Sequence, residues 1–383
     1  TLSMQFRDDY LRITSKDYEI IGTVRREGRF IKATVPFLNL KKHHVAISGK
    51  FTYDLQKDIL STEGNFTLSD ASGTFTASKK SNAIDFELQS DTFKDLKSII
   101  DKFKMNEMVR SWAVDRVQAD QYRLHSLSGK GTIEEGKFKM DFDALKGEVL
   151  FTDTKIYFKE GLPAVNVSNL ILTYNNGGLY FDLKEPIYEG ISLEGSSVSI
   201  LNLLNPHTNL KLKIRTHTAF ASEIKNILKA YNLVLPLDQT SGKANILFMA
   251  DLSLKSKYQD YFVNVDFDKS ELWLKKVKLP IEKGIVQYHK GVINIKNLSL
   301  KENSYEGDLN GEIDLKEHKA DLTFDAKRIA LGEKDKKFFA LKDQILPFEL
   351  SYKENLEVEI PKLHTRIIND KNETQIFITD LGK

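Results

Sequence analysis

The chain has 383 residues, 41% hydrophobic and 29% charged, the balance of a folded rather than a disordered polypeptide. Its 56 basic and 54 acidic residues leave a net charge of +2, which gives no electrostatic reason to expect nucleic acid as a partner. The absence of cysteine excludes disulfides, thiolate nucleophiles and cysteine-ligated zinc together, and no run of ~18 apolar residues is present to span a bilayer as a helix. A cysteine-free chain suits an oxidising compartment such as the bacterial periplasm. No signal peptide is visible at Thr1, so any membrane anchor is expected outside residues 1–383.

Short segments of alternating apolar and polar residues dominate, roughly twenty of them, at the spacing of hairpin-connected β architectures. The first interruption runs from Thr92 to about Val117, where Phe93, Leu96, Ile100 and Phe103 fall on one helical stripe. Thr92 and Asp95 form a capping box for this helix, and a break is expected near Asn106. Asn175-Asn176-Gly177-Gly178 then marks a tight turn. A second helix is predicted over Ala219–Asn232, with Phe220, Ile224, Ile227, Leu228 and Tyr231 at helical spacing. Strand patterns resume at Ile246, Phe248, Ala250, Leu252 and Leu254, then at Val263, Val265 and Phe267, and again at Leu309, Gly311, Ile313 and Leu315. The fold class expected is mainly β: a long curled, mostly antiparallel sheet built from repeated β units, with two short capping helical segments.

The repeats are visible directly. Phe151–Phe158 resembles Phe267–Leu274 at an offset of 116 residues, Leu162-Pro163 matches Leu279-Pro280 at 117, and Tyr188-Glu189-Gly190 recurs as Tyr305-Glu306-Gly307 at 117. Ser-Gly-Lys, read as the opening of a strand, occurs at 48–50, 128–130 and 241–243. Pro163 and Pro280 are expected between strands, and Gly190 and Gly307 at bulges or bends. The organisation that follows is an N-terminal β unit over 1–117 ending in a helix, a central unit over 118–235 ending in the second helix, and a C-terminal β unit over 236–383.

Strands with one apolar face each must hide that face, and two helices are too few to cover it. The sheet therefore either closes on its own side chains or leaves an apolar trough. About twenty strands at ~4.8 Å would extend ~95 Å if the sheet stayed open. A sixteen-carbon acyl tail costs about 12 kcal/mol to expose to water, so a dry trough would lower the barrier to its movement without a catalytic residue. Ile156, Phe158, Leu170, Leu172, Leu272, Leu274, Ile293 and Ile295 are the candidates for such a face; the same residues suit a closed core.

The order of these features, over about Ser128 to Leu254 and again over Val263–Leu315, resembles the AsmA-like superfamily, which includes the YhdP-like and TamB-like envelope proteins. It comprises the strand Phe151–Phe158, the corner Leu162-Pro163, the strand pair around Leu170-Ile171-Leu172 and Leu179-Tyr180-Phe181, Gly190, Gly195-Ser196-Ser197 and the helix from Ala219. The resemblance implies a β-rich body in the periplasm of a Gram-negative bacterium, held to the inner membrane by an anchor outside this chain. It further implies passage of phospholipid or another acyl lipid along a hydrophobic groove, with other envelope proteins as partners. The alternative is a structural or assembly scaffold of the envelope without lipid cargo.

No catalytic signature competes with this reading, and an enzyme is not expected. Gly131–Phe138 nearly fits a phosphate-binding loop, but Phe138 stands where Ser or Thr is needed and no helix follows, so a hairpin turn is expected. His43-His44 beside Lys41-Lys42 reads as an exposed turn rather than a metal site. The basic runs Lys275-Lys276-Val277-Lys278 and Lys334-Asp335-Lys336-Lys337 read as solvated turns, or as contacts for anionic headgroups. No metal and no cofactor is expected.

Overall fold

The structure is a computed structural model that describes all residues except 1, 43, 103–109, 136, 206, 231–236, 275–276, 334–335, 353–354, 370–373 and 379–383. His43, Phe103, Asn106, Tyr231, Asn232, Lys275, Lys276, Lys334 and Asp335, all singled out above, lie outside the described residues. The chain is mainly β, with 28 strands among the described residues. Every register described is antiparallel. Two compact units are formed, one by Thr1–Tyr188 with Ser197–Asn209 and the other by Glu189–Ser196 with Leu210–Lys383.

The first unit is a meander. Its strands are β1 (Ser3–Arg7), β2 (Tyr10–Thr14), β3 (Tyr18–Glu27), β4 (Phe30–Leu40), β5 (Val45–Asp54), β6 (Ile59–Leu68), β7 (Ala71–Lys80), β8 (Ala83–Ser90), β9 (Val117–Glu134), β10 (Lys137–Ile156), β11 (Val165–Asn175), β12 (Gly178–Lys184), β13 (Ile187–Tyr188) and, after β14 (Ile191–Ser192) of the second unit, β15 (Ser197–Leu201). Consecutive strands from β1 to β12 pair in order, which is what short turns between alternating segments dictate. The near phosphate-loop segment is the end of the β9–β10 hairpin, with Phe138 opposite Ile133.

The second unit continues with β16 (Asn209–Thr218), β17 (Leu237–Ser241), β18 (Ala244–Ser253), β19 (Gln259–Phe267), β20 (Ser270–Leu274), β21 (Val277–His289), β22 (Val292–Lys301), β23 (Tyr305–Asp314), β24 (Lys319–Glu333), β25 (Lys336–Ser351), β26 (Leu356–Ile360), β27 (Thr365–Asn369) and β28 (Thr374–Ile378). One end of β21 pairs with β20 and the other with β19, so β19 and β20 act as one bent strand. β17 and β18 bend beside them at Gly242, which has φ +85°. A side chain there would meet the Lys269 carbonyl at 2.2 Å.

The helical segments begin later than the stripes predict. α1 spans Leu96–Ile100, and Asp95 rather than Thr92 caps it, accepting from the Ser98 amide at 2.9 Å. Phe93 is extended instead, because both its backbone groups bond Tyr122 at 2.9 and 2.8 Å. A π-helical turn at Trp112–Arg116 leads into β9. α2 spans Ser222–Ala230 and has no fully buried residue.

α1 seals the first core cluster. Phe93 stacks on Tyr122 with ring centroids 5.7 Å apart, Tyr122 meets Phe151 edge-on at 5.2 Å, and Val167, Leu170 and Leu183 complete the centre. The second cluster gathers Leu272, Ile281, Leu298 and Leu300 from strands alone. Pro163 lies in the connection after β10, as expected, but Pro280 lies within β21 opposite Glu271. There the second copy of the repeat continues the hairpin toward residues 275–276, where the first has the long connection 157–164. Gly190 sits in the turn between β13 and β14 with φ +82°, and Gly307 sits at a register shift between β23 and β24.

Two of the three Ser-Gly-Lys triplets lie inside strands rather than opening them. Gly49 in β5 faces Gly64 in β6, and a Cβ on either would meet the other strand's carbonyl, Glu63 O at 2.4 Å or Ser48 O at 2.1 Å. These glycines stand where two backbones close on each other on the face that also carries Ile47 and Phe51. Neither backbone can move away without losing its ladder. Gly64→Val should therefore destabilise the first unit by about 1–3 kcal/mol. Gly28→Ala, at an open turn with φ +61°, should cost only about 1 kcal/mol. Urea midpoints measure both, and equal effects would remove the close-approach argument.

Candidate functional site

Antiparallel partners share a face, so the registers can be followed across each unit as rows. In the first unit one row runs Met4, Ile13, Ile20, Leu38, Ile47, Phe66 from β1 to β6. A second runs Val24, Ala33, Phe51, Thr62, Ala77, Phe86 from β3 to β8 on the same face. Apart from Met4, which is exposed, all of these residues are half-buried. In the second unit a row runs Phe248, Val263, Tyr288, Ile293, Ile313, Ala320, Leu350, Val358, Ile367, Ile376 from β18 to β28. Ala320 is sealed, Ile376 is exposed, and the others are half-buried. A parallel row there runs Ile246, Val265, Val286, Ile295, Gly311, Leu322, Phe348.

The predicted face residues divide into three groups. Ile293 lies in a half-buried row of the second unit, and Ile295 is half-buried against the second core cluster. Ile156 and Leu172 are half-buried against the first core cluster, and Phe158 packs edge-on against Tyr188 at 5.7 Å. Leu170 and Leu272 are 0% and 5% exposed, so they are core residues and not part of an accessible face. Leu170 is sealed because Phe151 and Leu183 flank it on both neighbouring strands; Leu272 is enclosed with Ile281, Leu298 and Leu300. The Leu274 side chain lies outside the described residues. The rows of the first unit were not among the candidates, although the alternation Ile47, Gly49, Phe51, Tyr53 in β5 is a readable signal for them.

The opposite face of the first unit is polar. Lys50, Glu63, Thr76, Glu87 and Ser128 form one cross-strand row and Thr52, Ser61, Ser78, Asp85 and Lys130 the next. These residues line an open trough of about 890 Å³, in which Lys130 and Asp85 approach to 3.6 Å. Thr62, Ala77, Phe86 and Ala144 also contribute to its lining, so hydroxyls, charges and apolar atoms are mixed there. Among the described residues no group of three or more His, Cys, Asp or Glu is placed to hold a metal ion.

An ion network borders the second core cluster. Lys278 reaches Glu271 at 2.8 Å and Glu302 at 3.4 Å, while Thr240 and Trp273 donate to Glu271 at 2.8 and 3.2 Å. The Lys278 hydrogen bond, followed by those from Thr240 and Trp273, holds the Glu271 carboxyl below its ordinary value of 4.5. A carboxylate held low stabilises the fold above its unfolded pKa and loses that contribution as pH falls through the folded one. Glu271→Gln should therefore lower the melting temperature at pH 7, and the gap to the parent should close as the pH falls below 4.5. A gap that stays constant with pH would show that the charge has no part in it.

Comparison with curated proteins and with solved structures finds no match. A family model described as YhdP protein matches residues 32–332, about four-fifths of the chain. The match includes strands β5 to β23 complete, and with them most of the apolar rows of both units. The chain belongs to the YhdP protein family and so to the AsmA-like group of bacterial envelope proteins.

Proposed function

We propose that the chain is a periplasmic module that binds lipid acyl chains along its apolar sheet faces and supports phospholipid movement between the inner and outer membranes. The observation that carries the reading is the run of half-buried apolar rows in each unit. Each methylene moved from water onto such a face gains roughly 0.8 kcal/mol, so contact with several strands holds a tail without a deep pocket. The module acts by contact and shelter, not by bond chemistry. Phospholipid is its ligand, and the inner membrane and other envelope proteins are its partners.

A scaffold reading has its own support in the sealed clusters around Leu170 and Leu272, which are ordinary cores. The two readings differ in what the half-buried rows touch. Organic extraction of the purified protein followed by mass spectrometry should recover phospholipid. Ile293→Glu, which places a charge in a half-buried row, should leave the fold intact and lower lipid binding by about tenfold. Leu170→Ala should lower stability by about 2–5 kcal/mol and leave lipid affinity unchanged in the folded fraction. Protein that carries no lipid and ignores added phospholipid vesicles would leave the scaffold reading standing.

A further inference from the structure

The sheet of the first unit has a step inside it. From Lys146 onward β10 is paired on both sides, by β9 and by β11, but from Lys137 to Asp141 its partner among the described residues is β9 alone. The step exists because β11 turns back at Asn175, opposite Lys146, while the β9–β10 hairpin runs on. Ile133 of β9 donates its amide to the Asn82 carbonyl at 2.8 Å, toward β8, so the Ile133–Phe138 and Gly131–Met140 pairs exchange no hydrogen bonds of their own. The backbone groups of Phe138 and Met140 therefore point away from β9 and into the step. An open cleft of about 480 Å³ lies there, lined by Met140, Phe142 and Leu204 among others. Phe138 and Phe142 are 48% and 50% exposed.

We infer that this edge pairs with the same edge of a second copy of the chain, β10 against β10, antiparallel about a two-fold axis through Met140. Charge complementarity names the occupant. Lys137-Phe138-Lys139-Met140-Asp141-Phe142-Asp143 reads basic, aromatic, basic, apolar, acidic, aromatic, acidic. Turned against itself about Met140, the segment sets Lys139 opposite Asp141 of the second copy and Lys137 opposite its Asp143, each twice. Phe138 then meets the second copy's Phe142, and Met140 meets Met140. Every charge faces its opposite and every apolar residue faces an apolar one. Met140 sits at a position whose N–H and C=O face outward, so the two copies exchange both backbone bonds at the centre. A register centred on Lys139 would oppose two ammonium groups instead. Lysines on an open edge ordinarily deter a foreign strand; here they admit one that carries aspartate in the matching order. Lys139 is only loosely engaged, 3.7 Å from Glu134 with both side chains exposed. Asp141 accepts from the amides of Asp143 and Ala144 through Oδ1. The contact is small, so association is weak and reversible.

Sedimentation velocity of the 383-residue chain between about 1 and 200 µM tests this, with hydrogen exchange followed over residues 137–141. The expected result is a dimer fraction that grows with concentration, with exchange at Met140 slowing in step. Lys139→Asp sets aspartate against Asp141 on both sides of the axis and should weaken association at least about tenfold. Asp141→Lys sets lysine against Lys139 and should do the same. An equimolar mixture of the two variants restores opposite charges in the mixed dimer and should associate as the parent does. Both positions are exposed, and exchange over the rest of the chain verifies that each variant folds. A chain that stays monomeric throughout overturns the inference, as does a dimer indifferent to Lys139→Asp or a pair of variants that does not recover on mixing. Slow exchange at Met140 already at the lowest concentration would assign the edge to another segment. Protection that appears only with phosphatidylcholine vesicles would assign it to lipid. Either result overturns the pairing.

Discussion

Each strand of this chain brings two demands to its neighbours: backbone N–H and C=O groups that must be paired, and alternate apolar side chains that must leave water. The antiparallel ladders meet the first demand over both units. Among the described residues the second is met by two buried clusters, around Leu170 under α1 and around Leu272 among strands, and at single positions such as Ala320, Leu322 and Leu346. Elsewhere the rows are half-buried, shielded by their neighbours along the face but not by another layer. That imbalance is what leaves the apolar faces open to contact, and the lipid reading rests on it.

The faces are kept close by backbone rather than by side chains. At Gly49 and Gly64, and again at Gly311, where a Cβ would lie 2.2 Å from the Asp321 carbonyl, adjacent strands approach too closely for any other residue. Interruptions of another kind redirect side chains. Asp153 has φ +50° within β10, so Val149 and Phe151 before it and Ile156 after it reach the same cluster although the count between them is odd. Asn297 does the same kind of work in β22, where the register with β23 shifts between Ile295 and Leu298.

The β architecture was legible in the sequence because period-two alternation survives in segments such as Ile246–Leu254, and because turn residues such as Asn176-Gly177 separate them. Both helices begin later than their stripes suggest. Phe93 fits a helical stripe, yet its backbone is taken by Tyr122, a contact 29 positions away that local spacing does not register. The same limit explains Leu170 and Leu272: alternation tells which residues share a face but not whether a helix or a neighbouring strand closes over it. Ile293 is half-buried, and Ile295 packs against the second cluster, a difference that alternation does not show either. Two of the three Ser-Gly-Lys triplets lie inside strands while the third precedes β18, since a glycine needed for close approach and a glycine needed for a turn look alike in one dimension.

The connectivity of the first unit has a mechanical corollary. From β1 to β12 each strand hydrogen-bonds the strands immediately before and after it in the chain, through registers that share few contacts with distant segments. Tension applied at the N-terminus therefore unzips it one hairpin after another, each step releasing a ladder of five to ten bonds, until the load reaches the aromatic knot of Phe93, Tyr122 and Phe151. A strip loaded in this way would yield first where strands are held by ladders alone and last at that knot.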